Sequence, residues 1–298
     1  EQQVEGIDFT YTQRFVGDSR PFFLEGGEPL SNVWWTRKIP EVDLGAKVYG
    51  RLGQHNFDVT HVRDFGVRDD NVLNWYMDFD KGLSEASALM VNRHEPGVVE
   101  NTLVGAGLNL RKKTKWGGTE SVGVWGYKTR TGGPGGDGSQ WNAGAYYWAG
   151  KGRMGASLSY SDTTAEYNPA DGFFPEADKD VRKLSGEFGY SDRIDGRYLR
   201  SWEYGGEFSD EKRHDGTLYQ RTRNVYVDAD FQDNTWCYVS FENNYRFDQD
   251  VAYQDRVWDV SAGWNSDELY RGGSAGVTAG YLAGGHYVYT SLSQGFYL

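Results

Sequence analysis

The sequence predicts an all-β fold: an antiparallel up-and-down transmembrane β-barrel with an irregular N-terminal segment, read as a partial barrel or as a segment of a longer chain. Three observations predict it. Apolar and polar residues alternate with period two over arms of ten or more residues, which a helix, with its apolar face recurring every three to four residues, cannot produce. Tight turns alternate with longer connections, the wiring of an outer-membrane barrel. The 298 residues include 40 Gly, 21 Tyr and 11 Trp but are only 38% hydrophobic, which suits aromatic girdles and crowded walls better than apolar helices. A large soluble β-sandwich or propeller shares much of that composition and is the plainer alternative.

Residues 1–43 form the irregular segment. It carries RPFFLEGG (Arg20 to Gly27) and VWWTR (Val33 to Arg37), neither long enough to span a bilayer, and is expected to pack in or on the barrel of residues 44–298. From Leu44 the chain reads as a meander, with strands over Leu44 to Leu52, Asn56 to Arg63, Val72 to Asp80, Ser84 to Arg93, Asn101 to Arg111, Glu120 to Thr131 and Gln140 to Ala149. The joins at Gly53-Gln54-His55, Lys81-Gly82-Leu83 and Gly150-Lys151-Gly152 are tight and carry glycine, as between neighbouring antiparallel strands. Asp64 to Asn71, His94 to Glu100 and Gly132 to Ser139 read as longer loops on the opposite side.

The second half continues with strands over Arg153 to Asp162, Val181 to Tyr190 and Arg197 to Phe208. After a hairpin come Arg256 to Asn265, Gly273 to Leu282 and Tyr287 to Leu298. The hairpin, Tyr219 to Phe247, is the clearest element. Val225, Val227, Ala229 and Phe231 oppose Thr222, Asn224, Tyr226, Asp228 and Asp230; beyond a turn at Gln232-Asp233-Asn234, Cys237, Val239 and Phe241 oppose Tyr238, Ser240 and Glu242. Strands that cross a bilayer at a tilt need about nine to eleven residues, so these arms are long enough. Arg221, Arg223 and Asn243 interrupt the apolar face, leaving about half of each arm to meet lipid. The total is about fifteen strands. Single-chain bacterial barrels normally have an even number, so an odd count points to a misjudged boundary or to strands outside this segment.

A net charge of −12 without a Lys/Arg block argues against nucleic acid, because phosphate recognition needs a basic surface. No run of eighteen apolar residues is present, so no helical span is expected. The single Cys237 excludes an intrachain disulfide framework and sits on an apolar strand face as a small hydrophobe. Residue 1 is Glu and no leader pattern follows, the mark of a processed or excised segment.

RPFFLEGG, together with NPADGFFP (Asn168 to Pro175), the opening EQQV and the meander behind them, resembles the β-barrel domain of unknown function that follows a family 9 carbohydrate-binding-like module in outer-membrane proteins of Gram-negative bacteria. The motif positions are Arg20, Pro21, Phe22, Phe23, Leu24, Glu25 and Gly26, with Asn168, Pro169, Gly172, Phe173 and Pro175 in the second. The resemblance implies an outer-membrane location, with these residues in a structural or gating role. The sugar-binding-like module would lie upstream of Glu1, so it implies no carbohydrate-binding residue here.

The chemistry-bearing residues read mostly as structure. His55, His61, His94, His214 and His286 form no tight metal pair, and His55 and His61, six apart on a strand, stand about 20 Å from each other. Asp69-Asp70 and Asp178 to Asp180 offer adjacent carboxylates of the kind glycoside cleavage uses, but loops of an acidic protein supply such pairs freely. TGGPGGDG (Thr131 to Gly138) lacks the Lys and helix of a phosphate loop, and no GxSxG occurs. Arg20 and Glu25 around Pro-Phe-Phe-Leu suit a buried ion pair clamping an apolar plug. Arg51, Arg93, Arg111, Arg200 and Arg246, with Asp78, Asp80, Glu187, Asp228, Asp230 and Glu242, give a lumen of mixed charge. The expectation is therefore a channel, or the membrane platform of a surface or secretion complex; the alternative is a soluble or surface-exposed β protein that binds or hydrolyses glycans. No catalytic residue, metal or cofactor is expected. The expected partners are outer-membrane lipid, with another envelope protein or a surface glycan beside it.

Overall fold

Alternation at period two becomes fifteen strands, each hydrogen-bonded to its sequence neighbours in one antiparallel up-and-down sheet. The computed structural model describes residues 22, 39, 42–97, 99–115, 117–132, 136–149, 153–169, 179–194, 196–248, 251–265, 271–282 and 284–295. The strands are β1 (Leu44–Leu52), β2 (His55–Asp64), β3 (Arg68–Phe79), β4 (Ser84–Glu95), β5 (Val99–Lys113), β6 (Thr119–Thr131), β7 (Asp137–Trp148), β8 (Met154–Thr163), β9 (Val181–Arg193), β10 (Leu199–Arg213), β11 (Leu218–Phe231), β12 (Trp236–Asp248), β13 (Val251–Trp264), β14 (Gly273–Leu282) and β15 (Gly285–Gln294). β1 and β15 end the order, with no pairing between them among the described residues. No helix of the described residues is long and apolar enough to cross a membrane.

The expected inequality of turns fails in the first half of the chain. β2 and β3 are separated by three residues, as are β4 and β5, because residues that read as charged loop are strand. Arg68 and Asp70 sit two apart on one face of β3 and join through two bonds of 2.8 Å, while Asp69, on the opposite face, pairs with Arg63. Each charge in the run has a partner, so the ladder continues through it. The long connection that remains among those expected is the one between β8 and β9.

Tight turns use left-handed backbone. Between β3 and β4, Asp80, Lys81 and Gly82 all have positive φ, and the Gly82 and Leu83 amides donate back to Phe79 and Asp80 carbonyls at 3.1 and 3.2 Å. Between β11 and β12, Asn234 takes φ 60°, and the Asp233 carboxylate accepts from the Thr235 hydroxyl at 2.6 Å and its amide at 3.2 Å. Those bonds to Thr235 hold the Asp233 carboxyl below the ordinary aspartate range. A depressed folded value means that the stabilisation is present above the ordinary aspartate pKa and fades as pH falls through the folded one. Asp233→Ala is therefore expected to lower the unfolding midpoint at pH 7, and the gap to the parent to close in acid, in denaturant titrations at several pH values.

Contacts divide the chain into two compact units. The first holds β1 to β4, the adjoining parts of β5 to β7 and the segment after β8. Its core lies on one face of the sheet: Val62, Val72, Leu89, Val91 and Leu103 are buried together with Ile39 and Tyr167, and Phe22 and Tyr127 pack against them. The other face leaves Val48, Val59, Leu73, Met90 and Val104 exposed.

The second unit holds the remaining parts of β5 to β7, β8 up to Asp162 and all of β9 to β15. Register brings its apolar residues into rows running across the strands. Val227, Val239, Val260 and Val277 are successive cross-strand partners on β11 to β14, and beside them run Val225, Phe241, Trp258, Ala279 and Val288. A third row is Ala229, Cys237, Ala262, Ala275 and Leu292. Val260 and Val277 are each 45% exposed and Trp258 53%. Polar residues on the same face, Arg256 opposite Asn243 and Gln254 opposite Tyr245, bound these rows at one end.

Candidate functional site

In the first unit the two sequence motifs reach a common core. Phe22 of RPFFLEGG packs with its ring against Gly45, where a Cβ would stand 2.9 Å from it, and belongs to the same cluster as Tyr167, the residue before NPADGFFP. Asn168 is pinned between two strands: Asn101 on β5 donates to its carbonyl at 3.0 Å, and its amide donates to the Thr129 hydroxyl on β6 at 3.2 Å. Thr164 is fastened to Ser139 through the backbone at 2.9 Å. Gly138 is indispensable to this seat, because a Cβ there would fall 2.2 Å from the Tyr167 backbone nitrogen. Tyr167 is fully buried, and burial, with Tyr127 nearby, pushes its phenol well above the ordinary tyrosine value. Asn168 and Pro169 are described; Arg20, Pro21, Phe23, Leu24, Glu25, Gly26, Gly172, Phe173 and Pro175 lie outside the described residues, and the Arg20–Glu25 clamp with them.

The expected lumen charges separate into groups. Asp228, Asp230 and Glu242 share one face of β11 and β12 with Tyr226, Tyr238 and Arg246. Asp230 accepts from the Ser201 hydroxyl at 3.0 Å, Glu242 from the Asn244 amide at 3.2 Å, and Arg246 lies over the Tyr253 ring at 5.1 Å. Asp228 stands directly across from Glu203 on β10. Arg200 and Arg51 serve turns instead: Arg200 donates to the Asn234 side chain at 2.6 Å, and Arg51 to the Gly53 carbonyl at 2.9 Å. Arg93 belongs to the first unit and pairs with Glu95 at 2.7 Å, and Arg111 is exposed on β5. Along the described polar face of β9 to β13, which also carries Arg246 and Lys183, carboxylates predominate, since Glu187, Glu203, Glu207 and Asp259 join the three named above.

Sequence reasoning missed Ile39, Tyr167, Glu203 and Glu207. Register alone juxtaposes the two glutamates with their neighbours, and Tyr167 follows a strand without belonging to one. The alternating Glu203, Gly205, Glu207 on one face of a strand was a readable signal. Asp69 and Asp70 are each committed to an arginine on opposite faces of β3. Among the described residues no group of three or more metal-ligating side chains converges. His61 contacts the Asn71 side chain at 2.9 Å, and His214 an Asp162 carboxylate oxygen at 3.0 Å.

Aromatic rings gather at one end of β9 and β10. Tyr190, Trp202 and Tyr204 stand 5.2 to 5.9 Å apart between ring centroids, and Phe188 meets Tyr204 edge-on at 6.5 Å. No protein-family model matches the chain, and no curated protein does.

Proposed function

We propose that this chain is the wall of an outer-membrane β-barrel in a Gram-negative bacterium, acting as the membrane platform of a surface or secretion complex. The observation that carries the reading is the set of exposed apolar rows across β11 to β15. A water-facing sheet alternates apolar-in with polar-out, whereas here the apolar side is open and the opposite side carries the carboxylates, the arrangement lipid contact requires. The cluster of Tyr190, Trp202 and Tyr204 near a strand end suits an interfacial belt. The packed core of the first unit, around Ile39 and Tyr167, favours a platform over an open conduit. The resemblance carried by Phe22 and Asn168-Pro169 agrees with a barrel domain of envelope proteins.

Val260→Arg tests the reading. In lipid vesicles an arginine at mid-bilayer on the lipid face costs about 2–4 kcal/mol, whereas at a water-exposed site the change stays within about 0.5 kcal/mol. Urea unfolding of the vesicle-inserted chain should show the large shift. A chain that stays monodisperse without detergent, and a V260R variant as stable as the parent, would defeat the proposal.

A further inference from the structure

On the polar side of β7 to β11 in the second unit the wall carries a half-open cavity of about 350 Å³, lined among others by Trp148, Glu187, Glu203, Glu207, Asn224 and Tyr226. Its size falls at the lower end of the range of small-molecule sites. Glycines create it. The Trp148 ring lies over Gly155 and the Tyr226 ring over Gly205, where a Cβ would meet them at 2.9 and 2.7 Å. Two aromatic rings are thereby laid along the wall where side chains would otherwise fill the space.

The charge in this cavity is unbalanced. Glu187 and Glu207 are direct cross-strand partners on β9 and β10, and like charges in that position destabilise a sheet. Glu203 lies on the same face four residues before Glu207, and its carboxylate accepts a hydrogen bond from the Tyr226 hydroxyl at 2.7 Å. Among the described residues none of the three glutamates has a cationic partner, in contrast with Glu211 of the same strand, which Lys183 neutralises at 2.7 Å. Asn224 lines the same cavity, and its side-chain oxygen is enclosed in the wall without a hydrogen bond.

We propose that this cavity binds an organic cation carrying primary ammonium groups. The ammonium supplies three donors and a positive charge to a site whose charged side chains are all carboxylates. The rings decide between this and a metal ion. Hard divalent cations take six or more oxygen ligands, and magnesium gives up its water reluctantly, whereas aromatic faces attract an ammonium, the more strongly as it is desolvated. The inference does not depend on the bilayer reading, since it rests on the polar side of the sheet.

The experiment is calorimetric titration of the full chain, in non-ionic detergent, with spermidine, with magnesium chloride and with maltose. Spermidine should bind saturably, about tenfold more weakly to the E187Q/E207Q variant, and more weakly to Trp148→Leu, while Glu120→Gln on β6 matches the parent. The double variant removes a like-charge contact at nearly constant volume and should fold; Glu203→Gln alone gives the same reading if it does not. Absence of spermidine binding, unchanged affinity in the glutamine variants, equal binding of magnesium, or binding of maltose instead would overturn the proposal.

Discussion

Tyr167→Ala is expected to destabilise the protein by about 3–5 kcal/mol, the cost of deleting a large buried aromatic side chain. The side chain is wholly enclosed within the cluster of Ile39, Val62, Val72, Leu89, Val91 and Leu103. Backbone atoms of its own segment rest on Gly138, and the next residue is tied to β5 and β6. These fastenings keep the segment from collapsing into the space that alanine leaves, so the variant bears both the lost transfer energy and the cavity. Urea unfolding should show the full drop in midpoint with an unchanged slope. A loss under about 1 kcal/mol would mean that the segment after β8 does not contribute to the core.

Asp70→Asn should cost a similar amount, about 3–5 kcal/mol, because it unbalances a buried ion pair. The Arg68 and Asp70 side chains are 4% and 1% exposed, and the guanidinium meets both carboxylate oxygens. Removing the negative charge takes away the carboxylate that two guanidinium bonds meet and that offsets part of the cost of enclosing Arg68. Replacing both residues, as R68M/D70L, should recover most of the loss, since a buried pair exchanged for apolar side chains of similar volume is often neutral. The two variants, compared by unfolding in one buffer, separate the worth of the pair from the cost of breaking it. Equal destabilisation in both would place the cost in packing.

How far the fold was legible follows from the physics of individual residues. The hairpin of β11 and β12 could be read because Val225, Val227 and Ala229 alternate with Asn224, Tyr226 and Asp228 without a break. The start of β3 could not, because Arg68-Asp69-Asp70 has loop composition until one knows that Arg63 lies opposite and that Arg68 and Asp70 satisfy each other on one face. Register is a pairwise property of two strands, so a one-strand pattern is blind to it. That is also why Arg200 and Arg51 read as lumen charges although both serve turns. Glu187 showed in sequence as a polar-face charge; that Glu207 stands opposite it needs the alignment of β9 with β10. Asn168-Pro169 was legible as a motif, but its bonds to Asn101 and Thr129 link residues 67 and 39 apart, a distance no local pattern spans.

Those separations also have a kinetic meaning. A sheet whose strands pair only with their sequence neighbours can zip one hairpin at a time, with little loop entropy lost per step. The link from Asn101 to Asn168 breaks that rule, because the residues between them must be emplaced before it can close. Closing that link orders a long loop, so the contact of the segment after β8 with β5 and β6 is expected to form after the neighbouring hairpins, an order that residue-by-residue mutational analysis of the transition state would test.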